Sequence, residues 1–132
     1  MRWAAVLILS SLAMAAAPAS AHHSIAAVYD RDKPIELHGV LSRVEIKNPH
    51  SSFEMIVVQP SGARTAWLLE SRGVLGMIKD GFVRAVAVGD KVTVKGAPAR
   101  MAENQLWLTS LETADGKLFV FGARTPVGAP RP

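Results

Sequence analysis

Apolar positions fall into two regimes along the chain. Residues 4–17 are apolar apart from Ser10 and Ser11, with Arg2 before the run and Pro18 after it. Further on, apolar residues come in short runs or alternate with polar ones, the period-two pattern of half-buried strands. Ile35 and Leu37, then Val40, Val44 and Ile46, mark a long first strand whose inward phase passes from odd to even numbers across Gly39, so a bulge is expected at that glycine. Residues 53–58 and 63–69 flank Gln59-Pro60-Ser61-Gly62, the pattern of a hairpin. Ser71 is placed to cap a short helix over residues 72–80, with Val74, Leu75 and Ile78 on one face and Gly81 ending it in a left-handed conformation. Gly73 and Gly76 oppose that helix by about 1 kcal/mol each relative to alanine. In residues 91–97, Val92 and Val94 alternate with Lys91, Thr93 and Lys95; residues 105–113 form a further strand, and Ala114-Asp115-Gly116-Lys117 turns the chain into residues 118–121. The proline- and glycine-rich tail from Gly122 is expected to be disordered.

Three strands, a short helix, two strands and a small sixth strand is the element order of an all-β, OB-like Greek-key barrel of five to six strands. The bend at Gly39 and the lone helix between strands three and four both have places in it. A generic antiparallel sandwich is the alternative.

The first run changes the picture of what the working protein is. It is shorter than the about 20 apolar residues needed to span a bilayer, and Ala19-Ser20-Ala21 offers small residues where a signal peptidase reads. Residues 1–21 therefore read as a cleavable signal, cut before His22, with a cut after Ala19 as the competitor. The mature chain would be periplasmic or secreted, without a membrane span, and at about 110 residues enough for one domain over residues 22–121. The net charge of +4 is spread among interleaved acids and bases, which does not make the basic stripe of a nucleic-acid binder. There is no cysteine, so disulfides, thiolate metal sites and cysteine nucleophiles are excluded.

Candidate chemistry rests on the histidines. A cut before His22 would join a free amine, whose pKa is about 8, to an imidazole in one residue, and His23 or His50 would complete a three-nitrogen set suited to Cu(II) or Ni(II). That arrangement resembles the histidine-brace copper sites of certain exported proteins. A cut after Ala19 would put His22 third from the amine, also a copper or nickel arrangement. The competing reading is a solvated histidine end that binds metal adventitiously. His50 follows Asn48-Pro49 at the expected barrel rim, where Asn48 and His50 would otherwise serve only to cap a turn. His38 reads as an ordinary strand histidine. Glu70 is the best pocket carboxylate, against a plainer role at the start of the helix. Ser51 and Ser52 lie next to His50, but no nucleophile elbow, phosphate loop or dinucleotide fingerprint occurs, so no catalytic residue is assigned and an enzyme is not expected.

The segments His22-His23-Ser24-Ile25-Ala26-Ala27, Tyr29-Asp30, Lys33-Pro34-Ile35, Asn48-Pro49-His50 and Gly89-Asp90-Lys91-Val92-Thr93-Val94, in that order, resemble a family of small exported bacterial proteins classed as a domain of unknown function. The resemblance implies an exported single domain from His22 to about Phe121 and implies no reaction. Ile46-Lys47 and Gly81-Phe82 stand where typical members carry a tryptophan. Two functions are thereby expected: a periplasmic copper-binding protein using His22, His23 and His50, or an envelope module that binds a protein or a small ligand without metal.

Overall fold

The computed structural model describes residues 24–78 and 81–121; the predicted signal, His22, His23 and the tail from Gly122 lie outside them. The elements are α1 (Ile25–Val28), β1 (Ile35–Glu45), β2 (His50–Val58), β3 (Arg64–Arg72), α2 (Val74–Met77), α3 (Phe82–Ala85), β4 (Lys91–Pro98), β5 (Gln105–Thr113) and β6 (Leu118–Val120). Their order in the sheet is β3-β2-β1-β4-β5-β6, and a parallel pairing of β3 with β5 closes it into a barrel. Every other strand pairing is antiparallel. This is the OB-like barrel, and the sandwich alternative falls because β3 pairs with β5, so that β1 to β5 form one closed sheet with β6 added beside β5. None of the described helices is long and apolar enough to cross a membrane.

Phase along β1 explains the bend, and it corrects the expected position of the bulge. Gly39 pairs in register with Val92, whereas the irregularity lies between Leu41 and Arg43 on the β2 side, which makes Ser42 the extra residue. Leu41 is thus still inward and Val40 outward, despite its apolar side chain. Gly39 is required for another reason: a Cβ there would stand 2.5 Å from the Ile56 carbonyl oxygen and 2.7 Å from Met55 Cγ. The small residue lets β2 cross β1 closely.

Inward-facing residues of the strands fill the interior: Phe53 and Met55 from β2, Leu69 from β3, Val94 from β4, and Leu108 and Leu111 from β5, where Thr109 is an extra residue against β4. Both expected hairpins form. Gly62 turns β2 into β3 and Gly116 turns β5 into β6, each with positive φ.

The single helix over residues 72–80 is not what forms. β3 continues through Ser71 and Arg72, since those residues pair with Ser51 and His50. Ser71 is buried and its hydroxyl donates to the Leu108 carbonyl at 3.4 Å rather than capping a helix. Two short helical turns follow, with Gly81 left-handed at their junction as expected. Leu75 and Ile78 are exposed, and the side chains that reach the core are Met77 and Phe82. Phe82 plugs the barrel, its ring edge-to-face with Phe53, Phe119 and Phe121 at 5.1–5.8 Å between centroids.

Candidate functional site

A second, smaller apolar cluster lies on the outer wall of the barrel. In β5, Leu106 and Leu108 face the interior, so Trp107 between them faces outward. It is nevertheless buried, because the N-terminal segment folds back across it: Tyr29, Ala97 and Trp107 form the cluster, with Ile25 and Ala99 packed on it. The Tyr29 and Trp107 rings meet at 5.7 Å and 50°.

Backbone and side-chain bonds hold that segment in place. Tyr29 bridges Ala99, Asp30 N donates to the Pro98 carbonyl at 2.8 Å, and Arg100 N donates to the Val28 carbonyl at 2.8 Å. Arg100 also donates through Nε to the Ala26 carbonyl at 3.3 Å and pairs with Asp30 at 3.4 Å. The connection between β4 and β5 is therefore what seats the N-terminal segment.

Beneath the segment is a polar network that sequence reasoning assigned to a different role. Glu70 lies inside β3, not just past it, and its carboxylate accepts from the Tyr29 hydroxyl at 3.0 Å and from Gln105 Nε2 at 3.4 Å. Gln105 Nε2 also donates to the Tyr29 oxygen at 2.9 Å. Burial in the first place, and then the neighbouring Glu70 charge, hold the Tyr29 phenol above its ordinary range. Glu70 thus anchors the N-terminal segment and does not compensate a helix terminus.

His50 stands beside this network. It opens β2 opposite Arg72, on the outer face shared with Ser52 and Glu70. Asn48-Pro49, a cis peptide, leads into it, and Asn48 Oδ1 accepts from Val74 N at 3.0 Å, tying the β1–β2 turn to the start of α2. Asn48 thus bonds to the distant start of α2 and does not cap its own turn, and His50 makes no capping bond among the described residues. Its ring sits edge-on to Trp107, 5.0 Å between centroids and 78° between planes, and no hydrogen bond occupies its nitrogens among the described residues. Ser51 points into the barrel and Ser52 donates to Glu45 at 3.1 Å, so neither serine pairs with His50. Arg43, Lys47 and Ser52 surround the Glu45 carboxylate, and the bonds from Lys47 first hold its pKa down to about 2.

His50 and Trp107 line a cleft of about 340 Å³ together with Ile25, Arg31, Arg72 and Phe121. Its size is that of a small-molecule site, and its lining combines apolar rings with a few polar heads. A cleft of about 370 Å³ at His38, Val40, Val58 and Lys91 is comparably large. Its histidine is already engaged, with Nδ1 2.9 Å from the Thr93 hydroxyl and Nε2 3.2 Å from Glu36, which also pairs with Lys95. The His50 cleft is therefore the better candidate.

Among the described residues no three histidine, aspartate or glutamate side chains converge as a metal set. Of the expected ligands, His50 is in the cleft, while His22 and His23 lie outside the described residues. Ile25, two residues after His23, lines the same cleft as His50. Sequence reasoning did not single out Trp107, Arg31, Arg72 or Gln105. The available signal was Leu106-Trp107-Leu108, three consecutive apolar residues that imply cover on both faces of a strand.

A family model described as a family of unknown function (DUF6152) matches residues 9–106. No curated protein matches the chain.

Proposed function

The chain belongs to this family, from which no activity carries over, and on the geometry we propose that it is a small binding protein whose ligand seat is the outer-wall cleft around His50 and Trp107. The observation that carries the reading is the state of His50: its ring packs edge-on against a buried indole and lines a cleft, and among the described residues no hydrogen bond occupies its nitrogens. A histidine held by packing alone is pre-organised for a ligand that supplies the missing bond. Among the described residues no nucleophile is paired with it, and the proposal is binding.

A transition metal, copper first, is the ligand the sequence favours, and one structural feature adds support. Ile25 shares the cleft with His50, and two residues of chain reach about 7 Å. On this reading His23, and His22 with its amine after cleavage before it, join His50 as ligands. Export to the periplasm belongs to the same proposal, since it rests on the cut that frees the amine. The protein-contact alternative finds its support in β6, whose outer edge carries exposed Leu118 and Val120.

The test is a Cu(II) titration of the protein, cut before His22, against a competing chelator while melting temperature is followed. One tight equivalent and a raised melting temperature are expected, because a ligand of the native state stabilises it by mass action. His50→Ala and a one-residue N-terminal extension should each remove the tight equivalent. Weak, multiple binding indifferent to both changes would end the copper reading.

A further inference from the structure

Three rings run in a row from the cleft into the outer-wall cluster. His50 stands edge-on to Trp107, 5.0 Å between centroids, and Trp107 in turn meets Tyr29 at 5.7 Å. The row ends on a phenol whose hydroxyl donates to Glu70 Oε2 at 3.0 Å and accepts from Gln105 Nε2 at 2.9 Å. We infer that Trp107 and Tyr29 form a one-electron relay that carries an oxidising equivalent from the cleft to the buried tyrosine, with Glu70 taking the phenol's proton. Such a relay works with or without a metal in the cleft, and so goes beyond ligand binding.

Indole and phenol are the rings of a protein most readily oxidised by one electron, and rings in packing contact exchange an electron readily. The chain has no cysteine, so no thiol competes with them. Tyrosine gives up an electron only as its proton leaves, because the oxidised phenol is a strong acid. The carboxylate that already accepts the phenol's hydrogen bond is in place to receive that proton. Burial, and then the Glu70 charge, keep the phenol neutral, so the proton is present to be moved. An oxygen-centred radical of the peroxyl class in the cleft takes one electron from the Trp107 indole and leaves as its anion. Tyr29 returns one electron to the indole, its O–H bond breaks, and the proton passes to Glu70 Oε2, which becomes a carboxylic acid. A neutral phenoxyl radical remains, its oxygen still accepting from Gln105 Nε2. Tyr29 is 3% exposed and is the single tyrosine of the chain, so the radical is shielded from solvent and has no second phenol in the molecule to couple with.

Pulse radiolysis of the intact protein with the azide radical is the test, since that radical takes one electron from tryptophan and leaves as azide. Tryptophanyl absorbance should decay as tyrosyl absorbance rises, at a rate independent of protein concentration. The rise should be slower in heavy water, because an exchangeable proton moves in the step. Trp107→Phe should abolish this intramolecular rise, whereas Trp67→Phe, at the barrel interior, should keep it. Glu70→Gln should slow it by about a hundredfold, the loss of a positioned proton acceptor. Tyr29→Phe should leave the tryptophanyl radical long-lived. A tyrosyl rise whose rate grows with protein concentration, or one retained in Trp107→Phe, would overturn the relay. Equal rates in light and heavy water would overturn the transfer of the proton to Glu70, and the proposal with it. If Trp107→Phe does not fold, Trp67→Phe decides, because loss of the rise there would place the route elsewhere and overturn the relay.

Discussion

Tyr29 is the single tyrosine of the chain, so its ionisation can be followed in isolation. Its hydroxyl donates to Glu70 and accepts from Gln105, and burial with the adjacent carboxylate raises its pKa. The folded value therefore lies above the unfolded one, which is about 10. A raised folded pKa means that the stabilisation is complete below about pH 10 and is lost as pH rises through the folded value. Tyrosinate absorbance should stay flat past pH 10 and then rise together with loss of the N-terminal packing. Ionisation near pH 10 with that packing intact would contradict the network. Tyr29→Phe removes the donor to a carboxylate and should cost about 1–3 kcal/mol in denaturant unfolding, with the alkaline step abolished.

At the scale of elements, Phe82 shows how the barrel substitutes packing for helix length. α3 is one turn, too short to be stable by propensity, and it persists because its first residue sits among Phe53, Phe119 and Phe121. Phe82→Ala should cost about 3–5 kcal/mol by denaturant midpoint, whereas Leu75→Ala on the exposed turn should change it by less than about 0.5 kcal/mol. The contrast also marks how far the sequence could be read. Strands were legible because alternation is imposed by one buried face, and β5 came out with its observed ends. Ser71 misled because a hydroxyl before an apolar run reads as a cap, while its pairing with Ser51 is a long-range fact. Val40 misled in the same way, being apolar yet outward, and shifted the expected bulge from Ser42 to Gly39. α1 has one turn and no side-chain cap, so it leaves no periodic trace. Within the site, Asn48-Pro49-His50 was legible as a motif. Arg31, Arg72, Gln105 and Trp107 come from three separate stretches, two of which only the β3–β5 closure brings together.

The molecule as a whole has two cores of unequal depth. The larger, inside the barrel, is sealed by six strands and Phe82; the smaller is Tyr29, Ala97 and Trp107 under a short N-terminal strap. The strap is held by Tyr29, by Arg100 and by a few backbone bonds, and it contributes no strand to the closed sheet beyond the bridge from Tyr29 to Ala99. Segments with few buried contacts open at lower free energy than the global transition. Removing the strap's main anchor should therefore free it without unfolding the barrel. In Tyr29→Ala the amides of residues 25–30 should lose exchange protection, the opening being easier by about 2–4 kcal/mol, while those of β1, β2, β4 and β5 keep theirs. The Trp107 resonance should shift as its cover leaves, and Ile25 should no longer close the cleft, so that Cu(II) binding weakens although His50 is intact. Loss of protection throughout the barrel in this variant would mean instead that strap and barrel fold as one cooperative unit, and the site would then be as rigid as the core beneath it.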